Sequence, residues 1–171
     1  MKRAVFAAFA AALALLAGSV AFAQTNTIAA VGFWKAFAGK SNNGKALCGM
    51  SSEGKTIFFS IKVYQGNDEM TVQLSAKSWK INDGAKQKIV MRFDRASPWN
   101  ATATGFHFSD GDAGLEFVVA LKNLEKFITE FAASNTLRIS FDGSDVQGWT
   151  LDLAGTAAVT SAFSDCVIKR L

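Results

Sequence analysis

Short stretches of this chain alternate apolar and polar residues with a period of two, and that period leaves few architectures open. Ile57, Phe59, Ile61 and Val63 interleave with Phe58, Ser60, Lys62 and Tyr64. Met70, Val72, Leu74 and Ala76 interleave with Thr71, Gln73, Ser75 and Lys77 in the same way. Ile89, Met91 and Phe93 alternate with Lys88, Val90 and Arg92, and Leu137, Ile139 and Phe141 flank Arg138 and Ser140. Trp149, Leu151 and Leu153 flank Thr150 and Asp152; Phe106 and Phe108 flank His107. Successive strand side chains point to opposite faces, so each run presents one core face and one wetter face. On that pattern Phe106 and Phe108 are expected in the core, with His107 turned away from it. The breaks at 65–68, 82–84, 109–114 and 142–145 are rich in Gly, Asn and Asp, residues that tolerate tight turns. Short strands joined by short turns favour antiparallel pairing.

Two segments depart from that rhythm. Over 123–133, Leu124, Phe127, Ile128 and Phe131 fall at helical spacing, with Glu125, Lys126, Thr129 and Glu130 opposite. Asn123 is suited to cap this helix and Asn135 to end it in a left-handed turn. Over 156–166, Ala158, Val159, Ala162, Phe163 and Cys166 form a second, weaker stripe. The expected fold is mainly β: a single-domain antiparallel β-sandwich or roll of about seven to eight strands, with one or two helices in the C-terminal half.

Residues 1–23 carry an address. Met1-Lys2-Arg3, an apolar run and Ala21-Phe22-Ala23 before Gln24 form the layout of a secretory signal peptide, with cleavage expected after Ala23. The run is too short and alanine-rich for a good membrane span, and no later stretch approaches the roughly 18 apolar residues of one. The chain is therefore expected to mature as one β-rich domain, 24–171, periplasmic or secreted, not integral to a membrane but free to touch one peripherally. Loss of Lys2 and Arg3 takes Lys+Arg from 18 to 16 against 14 Asp+Glu, so the net charge falls from +4 to +2. That is too little for a nucleic-acid binder, which normally carries a strong basic stripe.

Cys48 and Cys166 are the only cysteines and lie near opposite ends of the mature chain. In an oxidising compartment such a pair is expected to form a disulfide. A redox pair would favour C-x-x-C spacing, and a metal site would need partners beyond His107, the one histidine. No cofactor is expected.

The motifs of catalysis are missing. There is no G-x-S-x-G elbow, H-E-x-x-H, Walker A or G-x-G-x-x-G. Asp110-Gly111-Asp112-Ala113-Gly114-Leu115-Glu116 resembles a calcium loop only in its acidic spacing; Gly114 and Leu121 stand where oxygen ligands belong, so a hairpin turn is expected. What remains is charge. Between 77 and 95, Lys77, Lys80, Lys86, Lys88, Arg92 and Arg95 face only Asp83 and Asp94. Lys88 and Arg92 share one strand face, and Trp79 and Trp99 lie at either end of the stretch. These four residues are the candidate binding face for an acidic partner: a lipopolysaccharide headgroup, a glycan or a host protein surface. The competing reading is an ordinary solvated strand whose lysines discourage edge aggregation, with tryptophans in the core.

A signal of this type, the aromatic strand Phe33-Trp34-Lys35-Ala36-Phe37, the helix at 124–131, the strand Leu137-Arg138-Ile139-Ser140-Phe141, and Trp149-Thr150-Leu151-Asp152-Leu153-Ala154-Gly155 before a small-residue helix together resemble the invasion-associated locus B family of alphaproteobacterial envelope proteins. The similarity spans, loosely, 33–166. It implies a small β-rich periplasmic or secreted protein, without known enzymatic activity, associated in pathogens with host-cell entry. It carries over no catalytic residue. The expected function is a non-catalytic interaction protein binding an envelope or host component; the alternative is a periplasmic small-ligand-binding or lysozyme-inhibitor-like module. A groove lined by tryptophan would favour the ligand binder, and a flat basic-aromatic face the interaction protein.

Overall fold

The computed structural model describes residues 24–52, 54, 56–142 and 147–171. The signal peptide expected at 1–23 and the turn residues Gly143, Ser144 and Asp145 lie outside the described residues.

Among the described residues, ten strands form one continuous antiparallel sheet: β1 (Gln24–Val31), β2 (Trp34–Lys40), β3 (Ala46–Ser52), β4 (Ile57–Tyr64), β5 (Glu69–Ala76), β6 (Lys86–Phe93), β7 (Trp99–His107), β8 (Ala113–Ala120), β9 (Thr136–Asp142) and β10 (Trp149–Asp152). Their order is β1-β2-β3-β4-β5-β8-β7-β6-β9-β10, and the two ends of the sheet do not pair. Mainly-β antiparallel architecture with two helices in the C-terminal half is what the periodicity called for. The strand count is higher than expected because β1 and β3 do not alternate. In β3 the inward Cys48, Met50 and Ser52 and the outward Leu47 and Ser51 are all buried.

The sheet is rolled rather than flat. The inner face carries Trp34, Phe59, Ile61, Val72, Leu74, Ile89, Met91, Phe93, Leu115 and Ile139, all at most 1% exposed. Against it lie α1 (Leu124–Ala133), entered through a 3-10 turn over Leu121–Asn123, and α2 (Thr156–Arg170). Phe127 and Phe131 of α1 meet Phe93, Phe59 and Trp34 in a run of edge-to-face and tilted ring contacts. Burying each such ring is worth about 1.5–3 kcal/mol. Trp34 also donates its indole N–H to the Asp152 carbonyl at 3.0 Å, so β2 and β10, far apart in strand order, are clasped across the roll. Where β1 meets α2, Gly155 takes φ +80° and a Cβ there would lie 2.7 Å from Val31. Both the left-handed turn and the close approach require glycine.

The disulfide between Cys48 and Cys166 ties β3 to α2, with the two Cα atoms 5.9 Å apart. Three local expectations are corrected. Asn123 makes no side-chain cap. Asn135 is not left-handed: Ser134 is extended after the helix, and Asp94 accepts the Asn135 backbone N–H. Phe106 and Phe108 do not enter the core, because the inward positions of β7 are Ala103 and Gly105, and the two rings instead cover Gly114 on the outer face. His107 stands exposed at the strand end.

Candidate functional site

Strand β6 lies inside the sheet, paired on one side with β7 and on the other with β9. Ile89, Met91 and Phe93 take the inner face, which leaves Lys88 and Arg92 on the outer face, both exposed. Lys88 stands opposite Thr102 on β7 and Asp142 on β9. Beside them is a shallow depression of about 360 Å³ that also touches Val90 and Asn100. Arg92 stands directly opposite Arg138 of β9. Directly opposed side chains across antiparallel strands have Cβ atoms about 4.5–5.5 Å apart, and like charges so placed repel. Among the described residues no carboxylate comes within ion-pair distance of either guanidinium.

The two acids of the 77–95 stretch do not neutralise the patch. Asp83 bonds His107 Nδ1 at 2.7 Å. Asp94 accepts hydrogen bonds from the backbone N–H groups of Asn135 and Thr136 and from the Thr136 hydroxyl, at 2.7–2.9 Å. Those bonds, the Asn135 N–H foremost, hold its carboxyl below the usual range. Nearby, Lys86 donates to the Thr104 hydroxyl at 2.6 Å.

The tryptophans do not join this face. Trp79 is 8% exposed and packs on the inner side, edge-on to Phe141 and stacked on Trp149. Trp99 pairs with Met91 and shares its inward orientation; its indole N–H donates to Glu130 at 2.6 Å while Lys126 sits 4.9 Å over its ring. Lys88 and Arg92 therefore have Arg138 for company rather than Trp79 or Trp99.

Trp79 and Trp149 line a separate cleft of about 520 Å³ at the seam where β10 folds back against the ends of β4 and β5. Ile57 and Ala76 lie under it, and Thr56, Lys77, Ser78 and Gln147 edge it. The Trp149 indole N–H is shut away from solvent and has no acceptor among the described residues. A buried donor left unpaired costs about 1–3 kcal/mol.

A third feature, missed in the sequence, runs across the outer face. Lys62 donates to Gln73 at 2.7 Å, and Gln73 donates to Glu116 at 2.7 Å, linking β4, β5 and β8. Burial lowers the Lys62 pKa, partly opposed by the Glu116 charge, and burial raises that of Tyr64. Beside this row the Ser60 hydroxyl is buried without a partner among the described residues.

The acid-base inventory assembles nothing resembling a nucleophile relay. His107 and Asp83 form an exposed pair, and among the described residues no hydroxyl or thiol bonds the other ring nitrogen. Among the same residues no three His, Cys, Asp or Glu side chains gather as a metal cage, and no helix is long and apolar enough to cross a membrane.

The sequence matches no protein-family model and no curated protein sequence. The fold is similar to that of the crystal structure of invasion associated protein B from Bartonella henselae, with a TM-score of 0.54 over 85% of this chain and 99% of that one, at 10% identity.

Proposed function

We propose that this chain is an exported, non-catalytic interaction protein of the invasion-associated locus B type. It binds an acidic envelope or host component through the outer face of β6 and β9. The observation that carries the reading is the opposed pair Arg92 and Arg138, exposed, without carboxylate partners among the described residues, on the face that also presents Lys88. A sheet face that holds two guanidinium groups side by side is relieved when an anion settles between them. Support for the compartment comes from the disulfide, the signal-like start and the likeness in fold to an invasion-associated protein.

The test is cosedimentation of the mature protein with vesicles containing lipopolysaccharide, with vesicles of neutral lipid as the control. Binding is expected to the first, to weaken as salt rises from about 0.05 to 0.3 M because the contact is charge-driven, and to be lost in the Lys88→Glu/Arg92→Glu double variant. Equal binding by a folded double variant places the contact elsewhere. The Trp79–Trp149 cleft favours, as a second reading, a small-ligand-binding role.

A further inference from the structure

The geometry points to the seam between β10 and the β4–β5 ends as a carbohydrate site, and we propose that it takes a pyranose ring bearing a carboxylate. This deepens the second reading above and does not depend on the basic outer face. Three observations converge. One side of the cleft is indole: half-buried Trp149 lines it and stacks on the buried Trp79, 25° from parallel with centroids 6.4 Å apart. Sugar C–H faces pack on such rings because both surfaces are flat and apolar. The rim is the complement of a sugar's edge, with the Thr56 and Ser78 side chains and the Gln147 amide offering both donors and acceptors. Its volume of about 520 Å³ falls inside the range of about 300–1,000 Å³ typical of small-molecule sites.

Charge narrows the class. Lys77 is the one ionisable group among the described lining residues, and no carboxylate of that lining opposes it. An acidic sugar brings the anion that the described lining does not offer Lys77, whereas a neutral one does not. The second pointer is the orphaned indole N–H of Trp149. It sits closed off beside the cleft, and a slight opening of the rim that admits a ligand oxygen gives it the acceptor that the described residues do not supply. Lys88 and Arg92 lie on the other side of the sheet, so charge reversal there separates attraction of an anion to that face from binding in the cleft.

Intrinsic tryptophan fluorescence reads the site directly. Mature protein is titrated with an oligosaccharide of hexuronic acid and, in parallel, with a neutral hexose oligosaccharide of equal length. The expected result is a saturable change with the uronate, at least tenfold weaker in Lys77→Glu and in Gln147→Ala, and unchanged in Lys88→Glu/Arg92→Glu. Trp149→Phe removes both the reporter and the donor, so its binding is followed by ligand-observed NMR and is expected to weaken likewise. If that variant does not fold, Lys77→Glu and Gln147→Ala decide. Saturation by the neutral sugar with equal affinity overturns the acidic class while leaving a small-ligand cleft. No saturation by either sugar at millimolar concentration, or uronate binding lost with Lys88 and Arg92 but indifferent to Lys77, overturns the site itself.

Discussion

Reduction of the disulfide is the perturbation whose size follows most directly from the chain. Cys48 and Cys166 are separated by 118 residues, so the bond closes most of the described chain into one loop. By the chain-entropy model, opening a loop of that length returns about 5 kcal/mol of freedom to the unfolded ensemble. For a domain of this size each kcal/mol moves the melting temperature by about 2–4 °C, which gives a fall of about 10–20 °C. The native state should change little. Both sulfurs are buried, and Val159 and Phe163 keep α2 docked whether or not the bond is present. The assay is a pair of circular-dichroism melts, oxidised and reduced, preceded by thiol labelling in denaturant to establish the starting state. The far-ultraviolet spectrum at 25 °C should be the same in both. A fall of less than about 3 °C would refute the reasoning, since the entropy of so long a loop cannot then be what the bond removes. A reduced protein that has lost its helical signal at 25 °C would refute the claim that packing alone holds α2.

Gly49→Ala should cost about 1–3 kcal/mol in urea unfolding, because the new Cβ meets the Phe37 ring and stands 2.8 Å from the Ile61 carbonyl. Trp34→Phe should cost about 2–3 kcal/mol through the lost Asp152 bond and the space left by the smaller ring, read in the same assay. Asp94→Ala should be destabilising at neutral pH and progressively less so in acid. The folded carboxyl titrates below its unfolded value of about 3.9, so its stabilisation is present above that pH and disappears as the pH falls through the folded value. Chemical-denaturation midpoints of wild type and variant that converge below about pH 4 would bear this out; a constant gap would contradict it.

Much of the sheet was legible because burial on one face writes a period of two into β4, β5, β6 and β9. The same logic explains the misses. Strand β3 is covered on both sides, so its sequence has no polar face to alternate with. Strand β1 is short of large apolar residues, and its partner β2 supplies the order. The Phe106 and Phe108 rings defy the expected alternation because the inner positions of β7 are small and the aromatic residues cover glycine on the outside. At the candidate face, parity put Lys88, Arg92 and Arg138 outward correctly. That β6 lies against β9, bringing Arg92 to Arg138, is a non-local pairing that no window of sequence displays. Trp79 and Trp99 are near Lys88 and Arg92 in sequence but opposite them across a sheet, which spacing alone does not reveal. The Trp79–Trp149 seam is hidden for the same reason: it exists only once the sheet has rolled.

The central claim, that the outer face of β6 and β9 receives an acidic partner, is tested most directly by amide chemical-shift mapping. Isotope-labelled mature protein is titrated with micelles containing lipopolysaccharide, first at low and then at physiological salt. The expected result is a set of shifts confined to Lys88, Arg92, Arg138 and their cross-strand neighbours Thr102 and Asp142, shrinking as salt rises. Shifts gathered on α2, on β1 or at the Trp79–Trp149 seam, with β6 and β9 silent, would contradict it.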